Sequence, residues 1–264
     1  MNGLMMQQPL LISSLLVHAE RHHGDQEVVS RRVEGDIHRC TYRELAVRSR
    51  RMAKAIAALG VQPGQRVATL AWNGHRHMEL YYAVSGSGAV LHTLNPRLHP
   101  DQVVYIADHA EDQVLFFDLT FLPLVEAIAS RVKTIKAFVA MTDRAHLPAS
   151  SKIPNLLCFD LTFLPLVEAV ASRVATIKTF ILMTDRAHMP AATKIPNLLC
   201  YEDLLDAQDD RYDWPQFDEN AASSLCYTSG TTGNPKGVLY SHRSTLLHTF
   251  AISLPDALDR KSVV

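Results

Sequence analysis

The stretch that decides the fold runs from Ala221 to Gly237 and has the sequence AASSLCYTSGTTGNPKG. Its first seven residues, 221–227, are typical of a short apolar strand. The rest is a loop with three glycines, four hydroxyl side chains and one lysine. Glycine lets the backbone approach a ligand closely, and hydroxyls, backbone N–H groups and a lysine suit the oxygens and charges of a polyphosphate. The stretch therefore predicts a strand that leads into a phosphate-binding loop.

This loop does not fit the Walker A pattern G-x-x-x-x-G-K-[ST]. Counting from Gly230, Pro235 stands where the second glycine belongs, and Gly237 follows Lys236 in place of serine or threonine. A kinase or GTPase loop of that type is therefore disfavoured. The remaining alternative is a flexible linker between two strands. Linkers of that kind rarely combine so many hydroxyls with a fixed Pro-Lys-Gly ending.

Upstream of the loop, the N-terminal part of the chain predicts a hairpin followed by a long helix. Two strands, 27–33 and 37–41, are expected around a Glu-Gly-Asp turn. Thr41 and Glu44 have the spacing of a capping box, which predicts the start of the helix. Gly60 predicts its end, because glycine readily adopts the left-handed conformation found after helices.

The following segments alternate between strand and helix. Strands are expected at 66–71, 89–93 and 113–118, with helices at 75–85 and 101–109 between them. After the loop, we expect a returning strand at 238–241 and a helix at 244–254. Alternation with short connections predicts an α/β fold of doubly wound, mostly parallel sheet layers with flanking helices.

A tandem duplication interrupts this alternation. Residues 117–158 and 159–200 are copies of 42 residues that differ at eight positions. Each copy predicts a helix, beginning near Pro123 or Pro165, and then a strand at 134–141 or 176–183. Solenoids need about three repeats, so we interpret the pair as a duplication inside a non-repeat fold. Because the sheet has one position for this unit, we expect one copy to be extruded or to add a strand at an edge.

The bulk composition excludes several classes of protein. The 264-residue chain is 47% hydrophobic and 20% charged, with a net charge of −1, and it lacks the basic surplus of proteins that bind nucleic acid. Its four cysteines form no CxxC pair and its thirteen histidines no HExxH pattern. We therefore expect reduced core thiols, surface or hydrogen-bonded histidines, and a cytoplasmic protein. We expect no signal peptide, because the short apolar run at 10–17 is interrupted by Ser13 and Ser14 and no basic residue precedes it. No run approaches the roughly 20 apolar residues of a membrane helix.

Residues 227–237, YTSGTTGNPKG, resemble the signature phosphate loop of the acyl-adenylate-forming (AMP-binding) superfamily. That superfamily contains acyl-CoA synthetases, adenylation domains of peptide synthetases and beetle luciferases. Four more segments are similar to its fatty-acyl-CoA synthetase branch: 41–45, 59–73, 91–98 and 239–245. Gln65 departs from the family pattern, in which an acidic residue is usual. The resemblance covers nearly the whole chain, apart from one copy of the duplicated unit and the last few residues.

The resemblance implies a two-step reaction on a small-molecule carboxylic acid, here a medium- or long-chain fatty acid. The carboxylate attacks the α-phosphate of ATP, which gives an acyl-adenylate and pyrophosphate, and the thiol of CoA then displaces AMP. By motif match, the residues expected to hold the ATP phosphates are Thr228, Ser229, Gly230, Thr231, Thr232, Gly233 and Lys236. Thr228 also matches a threonine that the family associates with Mg²⁺. Such a loop would orient ATP and stabilise the departing pyrophosphate.

The later motifs of the family do not occur before Val264, so no catalytic set is complete in this sequence. We therefore expect residues 1–264 to be an incomplete N-terminal AMP-binding domain without its C-terminal domain, inactive alone. Three alternatives stay open: an aryl-CoA ligase or luciferase-like enzyme, a non-catalytic nucleotide-binding fragment, and a non-functional truncated product. Peripheral membrane contact is compatible with this family, and the sequence specifies neither the oligomeric state nor the length of the acid.

Overall fold

The computed structural model describes residues 5, 7–141, 158–159, 180–182, 198–200, 209–228 and 234–253. Near its start, helix α1 (Ser13–His23) packs against helix α2 (Tyr42–Ala58). Between them in sequence lies an antiparallel hairpin of β1 (Glu27–Arg31) and β2 (Ile37–Thr41). The hairpin confirms the two expected strands, although β1 ends two residues earlier than predicted.

Helix α2 begins and ends as its sequence predicts. The Thr41 hydroxyl accepts the backbone N–H of Glu44 at 3.2 Å, and the Glu44 carboxylate accepts the N–H of Thr41 at 2.7 Å. This capping box satisfies two N–H groups that a helix start would otherwise leave unpaired. Beyond the helix, Gly60 has a φ of +84°, which side chains disfavour and glycine tolerates.

The remaining strands are β3 (Arg66–Leu70), β4 (Val90–Thr93), β5 (Asp112–Phe117), β6 (Ala137–Ala140), β7 (Cys158–Phe159), β8 (Phe180–Leu182), β9 (Leu198–Cys200), β10 (Ala222–Thr228) and β11 (Lys236–Ser241). Six of the described strands form the main sheet, in the order β11-β10-β4-β3-β5-β6. Every neighbouring pair in it is parallel except β10 and β11, which are antiparallel. The expected mostly parallel sheet is confirmed.

Helices cover both faces of this sheet. They are α3 (His75–Gly86), α4 (Pro100–Ala110), α5 (Leu122–Ile128) and α6 (His242–Ile252). On one face, α2 and α3 bury Ile56 and Leu80 against Val67 of β3. On the other, α4 and α5 bury Ile106 against Phe117 of β5. Burial on both faces explains why these strands have continuous apolar runs instead of alternating patterns.

The duplicated segment is divided between two sheets. The first copy supplies α5, which has proline in its first turn as expected, and β6 at the edge of the main sheet. The predicted strand at 134–141 is shorter, at Ala137–Ala140. Strand β8 of the second copy lies between β7 and β9 in a separate parallel sheet of three described strands. The helix predicted near Pro165 lies outside the described residues.

We find no helix in the described part of the chain that is both long enough and apolar enough to span a bilayer.

Candidate functional site

The arms of the β10–β11 hairpin bring the two ends of the predicted phosphate loop together. Thr228 is the last residue of β10 and stands opposite Lys236, the first residue of β11. The Thr228 hydroxyl donates to the carbonyl oxygen of Lys236 at 3.5 Å. Both residues are exposed, and Lys236 makes no salt bridge within the described residues. A lysine held at the base of a loop with its ammonium in solvent is available to an anion.

The central residues of the predicted loop, Ser229, Gly230, Thr231, Thr232 and Gly233, lie outside the described residues. Their predicted contacts to phosphate therefore stay predictions.

The loop leaves the sheet at the carboxyl ends of the parallel strands. Strand β10 pairs with β4 so that Leu225 is opposite His92 and Cys226 is opposite Thr93. The Thr93 hydroxyl and the thiol of Cys226 are 3.3 Å apart. Open α/β sheets bind ligands in the crevice at this end of their strands. Thr228 and Lys236 lie at this end of the sheet, and their predicted contact with ATP phosphate stays a prediction.

A chain of aromatic and charged side chains fixes the strand directly below the loop. The Tyr227 hydroxyl is hydrogen bonded to Nδ1 of His109 at 2.6 Å, and its ring lies 5.3 Å from that of His92. Nδ1 of His92 lies 2.9 Å from both carboxylate oxygens of Asp112. Burial, together with the charge of Asp112, raises the pKa of Tyr227 above its ordinary value.

The sequence did not identify this network. His92 and Asp112 are fully buried, and Nε2 of His92 has no hydrogen-bond partner among the described atoms. His92 is thus a hydrogen-bonded histidine, as expected, through its Nδ1 alone. The one available signal was the segment at 91–98, which contains His92 and resembles fatty-acid ligases, but its partner Asp112 lies on another strand.

A second buried carboxylate lies at the same edge of the sheet, after β5. Asp118 accepts the backbone N–H of Trp72, in the loop after β3, at 2.7 Å. Burial raises the pKa of this carboxyl group. Trp72 itself is half exposed, and its ring packs on Phe121 at 5.1 Å. Asp118 thus ties together two loops whose following helices, α3 and α5, cover opposite faces of the sheet.

Strand β11, which follows the loop, and the start of α6 are held by hydrogen bonds to β10 and to the N-terminal part of the chain. Ser223 of β10 donates to the carbonyl of Tyr240 at 3.0 Å. His242, at the start of α6, is fully buried, and its Nδ1 accepts the backbone N–H of Ile12 at 3.2 Å. Burial lowers the pKa of His242 to about 4, so its ring is neutral at physiological pH. These contacts join the hairpin to the N-terminal part of the chain.

The cysteines and possible metal ligands also bear on the site. Cys40 and Cys226 are free thiols; Cys40 is buried but Cys226 is only partly so, which corrects the expectation of core thiols for this residue. The described residues contain no group of three His, Cys, Asp or Glu side chains that could hold a metal ion. Thr228 offers one hydroxyl oxygen. That donor fits Mg²⁺, which accepts oxygen ligands and usually retains waters and phosphate oxygens.

The fold of this chain is that of the adenylate-forming enzymes. It superimposes on the Brucella canis acyl-CoA synthetase with a TM-score of 0.64 at 12% identity, over 98% of this chain and 39% of that one. It also superimposes on the anthranilate CoA ligase AuaEII, solved with anthranoyl-AMP, with a TM-score of 0.59 at 18% identity, over 89% of this chain and 36% of that one. At such low identity, the similarity establishes the fold alone.

The family follows from the sequence match. The model of the family described as AMP-binding enzyme matches residues 16–263, and the chain belongs to that family.

Curated relatives of this chain are CoA ligases. It is 47% identical to the 3-methylmercaptopropionyl-CoA ligase of Ruegeria lacuscaerulensis and 44% identical to the medium-chain-fatty-acid–CoA ligase of Ectopseudomonas oleovorans, in each case over 98% of this chain and 40% of the relative. It is 40% identical to the long-chain-fatty-acid–CoA ligase of Thermus thermophilus, over 98% of this chain and 39% of the relative. The chain thus spans about 40% of the length of these relatives.

Proposed function

We propose that this chain carries the ATP-phosphate-binding part of an acyl-CoA ligase that activates a medium- or long-chain fatty acid. The observation that supports this most is the hairpin, whose arms hold Thr228 opposite Lys236 at the carboxyl edge of the sheet. The identities of 44% and 40% to medium- and long-chain fatty-acid ligases support the choice of acid. The 47% identity to a 3-methylmercaptopropionyl-CoA ligase favours a second candidate, a short thioether acid.

In the proposed reaction, the loop between the paired ends holds the β- and γ-phosphates of ATP. Lys236 neutralises part of their charge, and the hydroxyls and backbone N–H groups of residues 228–233 donate to their oxygens. The acid then attacks the α-phosphate, and the same contacts stabilise the pyrophosphate as it leaves. CoA displaces AMP in the second step. Tyr227 and its bond to His109 would hold the loop where these contacts can form.

Mg²⁺ belongs to this proposal as the ion that accompanies ATP. The Thr228 hydroxyl would be its one ligand from the described residues, with the phosphates and waters supplying the others. The ion would neutralise charge on the phosphates. We also propose a cytoplasmic location, where ATP and CoA are available, with peripheral membrane contact to collect the apolar acid.

We further propose that residues 1–264 form part of an AMP-binding domain and do not complete acyl-CoA formation alone. The chain spans about 40% of its curated relatives, and the motifs that the family uses for adenine, ribose and the adenylation lysine do not occur in it. A test is to incubate the purified chain with MgATP, CoA and octanoate, palmitate or 3-methylmercaptopropionate. No thioester is expected. Formation of a thioester would refute the inactivity, and the acid with the highest kcat/KM would then distinguish the two candidate substrates.

Phosphate binding is tested separately, by titrating the chain with MgATP in a calorimeter. Loss of a charged hydrogen-bonding group costs about 1.5–3 kcal/mol, so Lys236→Ala should weaken binding roughly 10- to 100-fold. Lys136→Ala is the matched control. Lys136 is also exposed, but it precedes β6, which lies at the opposite edge of the sheet from β11. If the two variants bind MgATP equally well, Lys236 does not hold phosphate and the proposed role of the loop is wrong.

A further inference from the structure

The outer edge of β6 lacks the features that protect exposed sheet edges. Its sequence is Ala-Phe-Val-Ala, with Phe138 and Ala140 buried on one face and Ala137 and Val139 half-buried on the other. Edge strands usually carry charges, proline or a bulge that prevents further pairing. A strand that is apolar on both faces is typical of the interior of a sheet. Among the described strands, however, β6 pairs only with β5.

The separate three-stranded sheet repeats the pairing of β5 with β6. In the main sheet, Phe116 is opposite Val139 and Phe117 is opposite Ala140. In the small sheet, Cys158 is opposite Ile181 and Phe159 is opposite Leu182. Each residue of the second set lies 42 positions after its counterpart in the first, which is the period of the duplication. The second copy therefore rebuilds the first pairing in the same register.

The small sheet also shows what the free edge of β6 should accept. Strand β9 is parallel to β8, with Leu198 opposite Phe180 and Cys200 opposite Leu182. Moved back by 42 positions, this pairing places Cys158 opposite Ala140.

The connection that such a pairing needs already exists in this chain. Residues 183–197 join β8 to β9. Residues 141–155 are equally long and differ from them at only three positions. The same linker that returns the chain from β8 to a parallel neighbour can therefore return it from β6.

We propose that β7 pairs in parallel with the outer edge of β6, with Cys158 opposite Ala140. Strand β7 then has β6 on one side and β8 on the other. The two sheets become one, in the order β11-β10-β4-β3-β5-β6-β7-β8-β9. The unpaired N–H and C=O groups of β6 gain partners, and the duplication is accommodated as two added parallel strands.

This arrangement explains how a duplication can leave the ligand site unchanged. Strand β6 is four strands away from β10, roughly 19 Å at the usual spacing of about 4.8 Å. The added strands lie farther still. Replacement of the first copy by the second inside the main sheet would fit worse, because Leu182 would have to occupy the buried position of Ala140.

The test introduces one thiol opposite the native Cys158. Ala140→Cys adds little volume, and in the proposed register its side chain and that of Cys158 lie on neighbouring strands, about 4.8 Å apart and on the same face. Mild oxidation or a short bifunctional thiol reagent should then link residues 140 and 158, as mapped by peptide mass spectrometry. Ala137→Cys is the matched control, since it lies about 10 Å farther along β6 and faces the other side, and it should not link to Cys158.

Three outcomes would overturn the proposal. A link from residue 140 to Cys200 would place β9 at this edge, and a link between two chains would make the edge an oligomer contact. Equal linking in the Ala137→Cys and Ala140→Cys variants would show random collision instead of a fixed register.

Hydrogen exchange gives a second measurement that does not depend on the new thiol. Cys158→Pro removes a ladder N–H from β7, the proposed neighbour of β6, so peptides covering 137–140 should exchange faster than in the unchanged chain. Cys200→Pro makes the same change in β9 and should leave those peptides protected. If Cys158→Pro does not alter exchange at 137–140, then β7 does not pair with β6.

Discussion

The neutral, buried state of His242 predicts a measurable loss of stability in acid. The side chain is fully buried, its Nδ1 accepts the N–H of Ile12, and its Nε2 has no partner among the described atoms. Protonation would place a charge in this apolar environment and abolish the acceptor at Nδ1. Burial accordingly lowers the pKa of His242 from 6.5 to about 4.

The size and sign of the effect follow from this difference. Because the folded chain binds the proton less tightly than the unfolded chain, the contribution of His242 is fully present above pH 6.5 and is lost as the pH falls towards 4. A difference of about 2.5 pKa units corresponds to about 3 kcal/mol in total. At pH 5, the loss should be about 2 kcal/mol. His75, whose pKa burial and neighbouring positive charge lower to about 3, adds a loss of its own in the same range.

The assay is urea unfolding at about pH 8 and about pH 5 for the unchanged chain and for His242→Asn. The asparagine amide oxygen can accept the N–H of Ile12 but does not titrate, so the variant should lose about 2 kcal/mol less between the two pH values. His75 is present in both proteins, and its contribution cancels. His248→Asn, an exposed position on the same helix, is the control and should behave like the unchanged chain. An identical pH dependence in His242→Asn and the unchanged chain would refute the reasoning.

Two further predictions concern packing and the strand below the loop. A Cβ on Gly86 would lie 2.5 Å from the Trp214 ring, so Gly86→Ala should destabilise the chain by about 1–3 kcal/mol in urea unfolding. Gly74→Ala, with nothing within 4 Å, should cost less, because it loses only the preference for glycine over alanine at the start of α3. Equal urea midpoints for the Gly86→Ala and Gly74→Ala variants would contradict the packing of Trp214 against Gly86. Tyr227→Phe deletes the hydrogen bond to His109, and we expect it to lower the free energy of unfolding by about 1 kcal/mol and to weaken MgATP binding. An unchanged affinity for MgATP would show that this hydrogen bond does not position the loop.

Local features of the fold could be predicted from the sequence wherever neighbouring residues determine them. The capping box of Thr41 and Glu44, the left-handed Gly60 and the proline in the first turn of α5 all depend on residues within a few positions of each other. The strands of the main sheet were predicted to within one to three residues, because burial on both faces leaves a continuous apolar run. The phosphate loop was predicted from residues that are adjacent in the sequence, and the structure describes only its two ends.

The order of the strands and the surroundings of the loop could not be obtained this way. Strand β10 pairs with β4, more than 130 residues earlier in the chain, and nothing in either strand specifies the other. Tyr227 and His109 are also far apart in sequence. His92 on β4 contacts Asp112 on β5, although β3 lies between these two strands in the sheet. Whether a histidine is exposed or sealed against a carboxylate depends on which elements pack around it, and that is a tertiary property.

The sequence by itself determined the α/β class, the helix and strand periodicity, the duplication and the position of the predicted loop, because each depends on adjacent or regularly spaced residues. Only the tertiary structure decided that Thr228 and Lys236 meet at the carboxyl edge of the sheet, that Asp118 and Tyr227 are hydrogen bonded to residues far away in sequence, and that the second copy repeats the pairing of the first in a separate sheet. These outcomes depend on hydrogen bonds and apolar contacts between segments far apart in the chain, and such contacts exist only once the chain has folded.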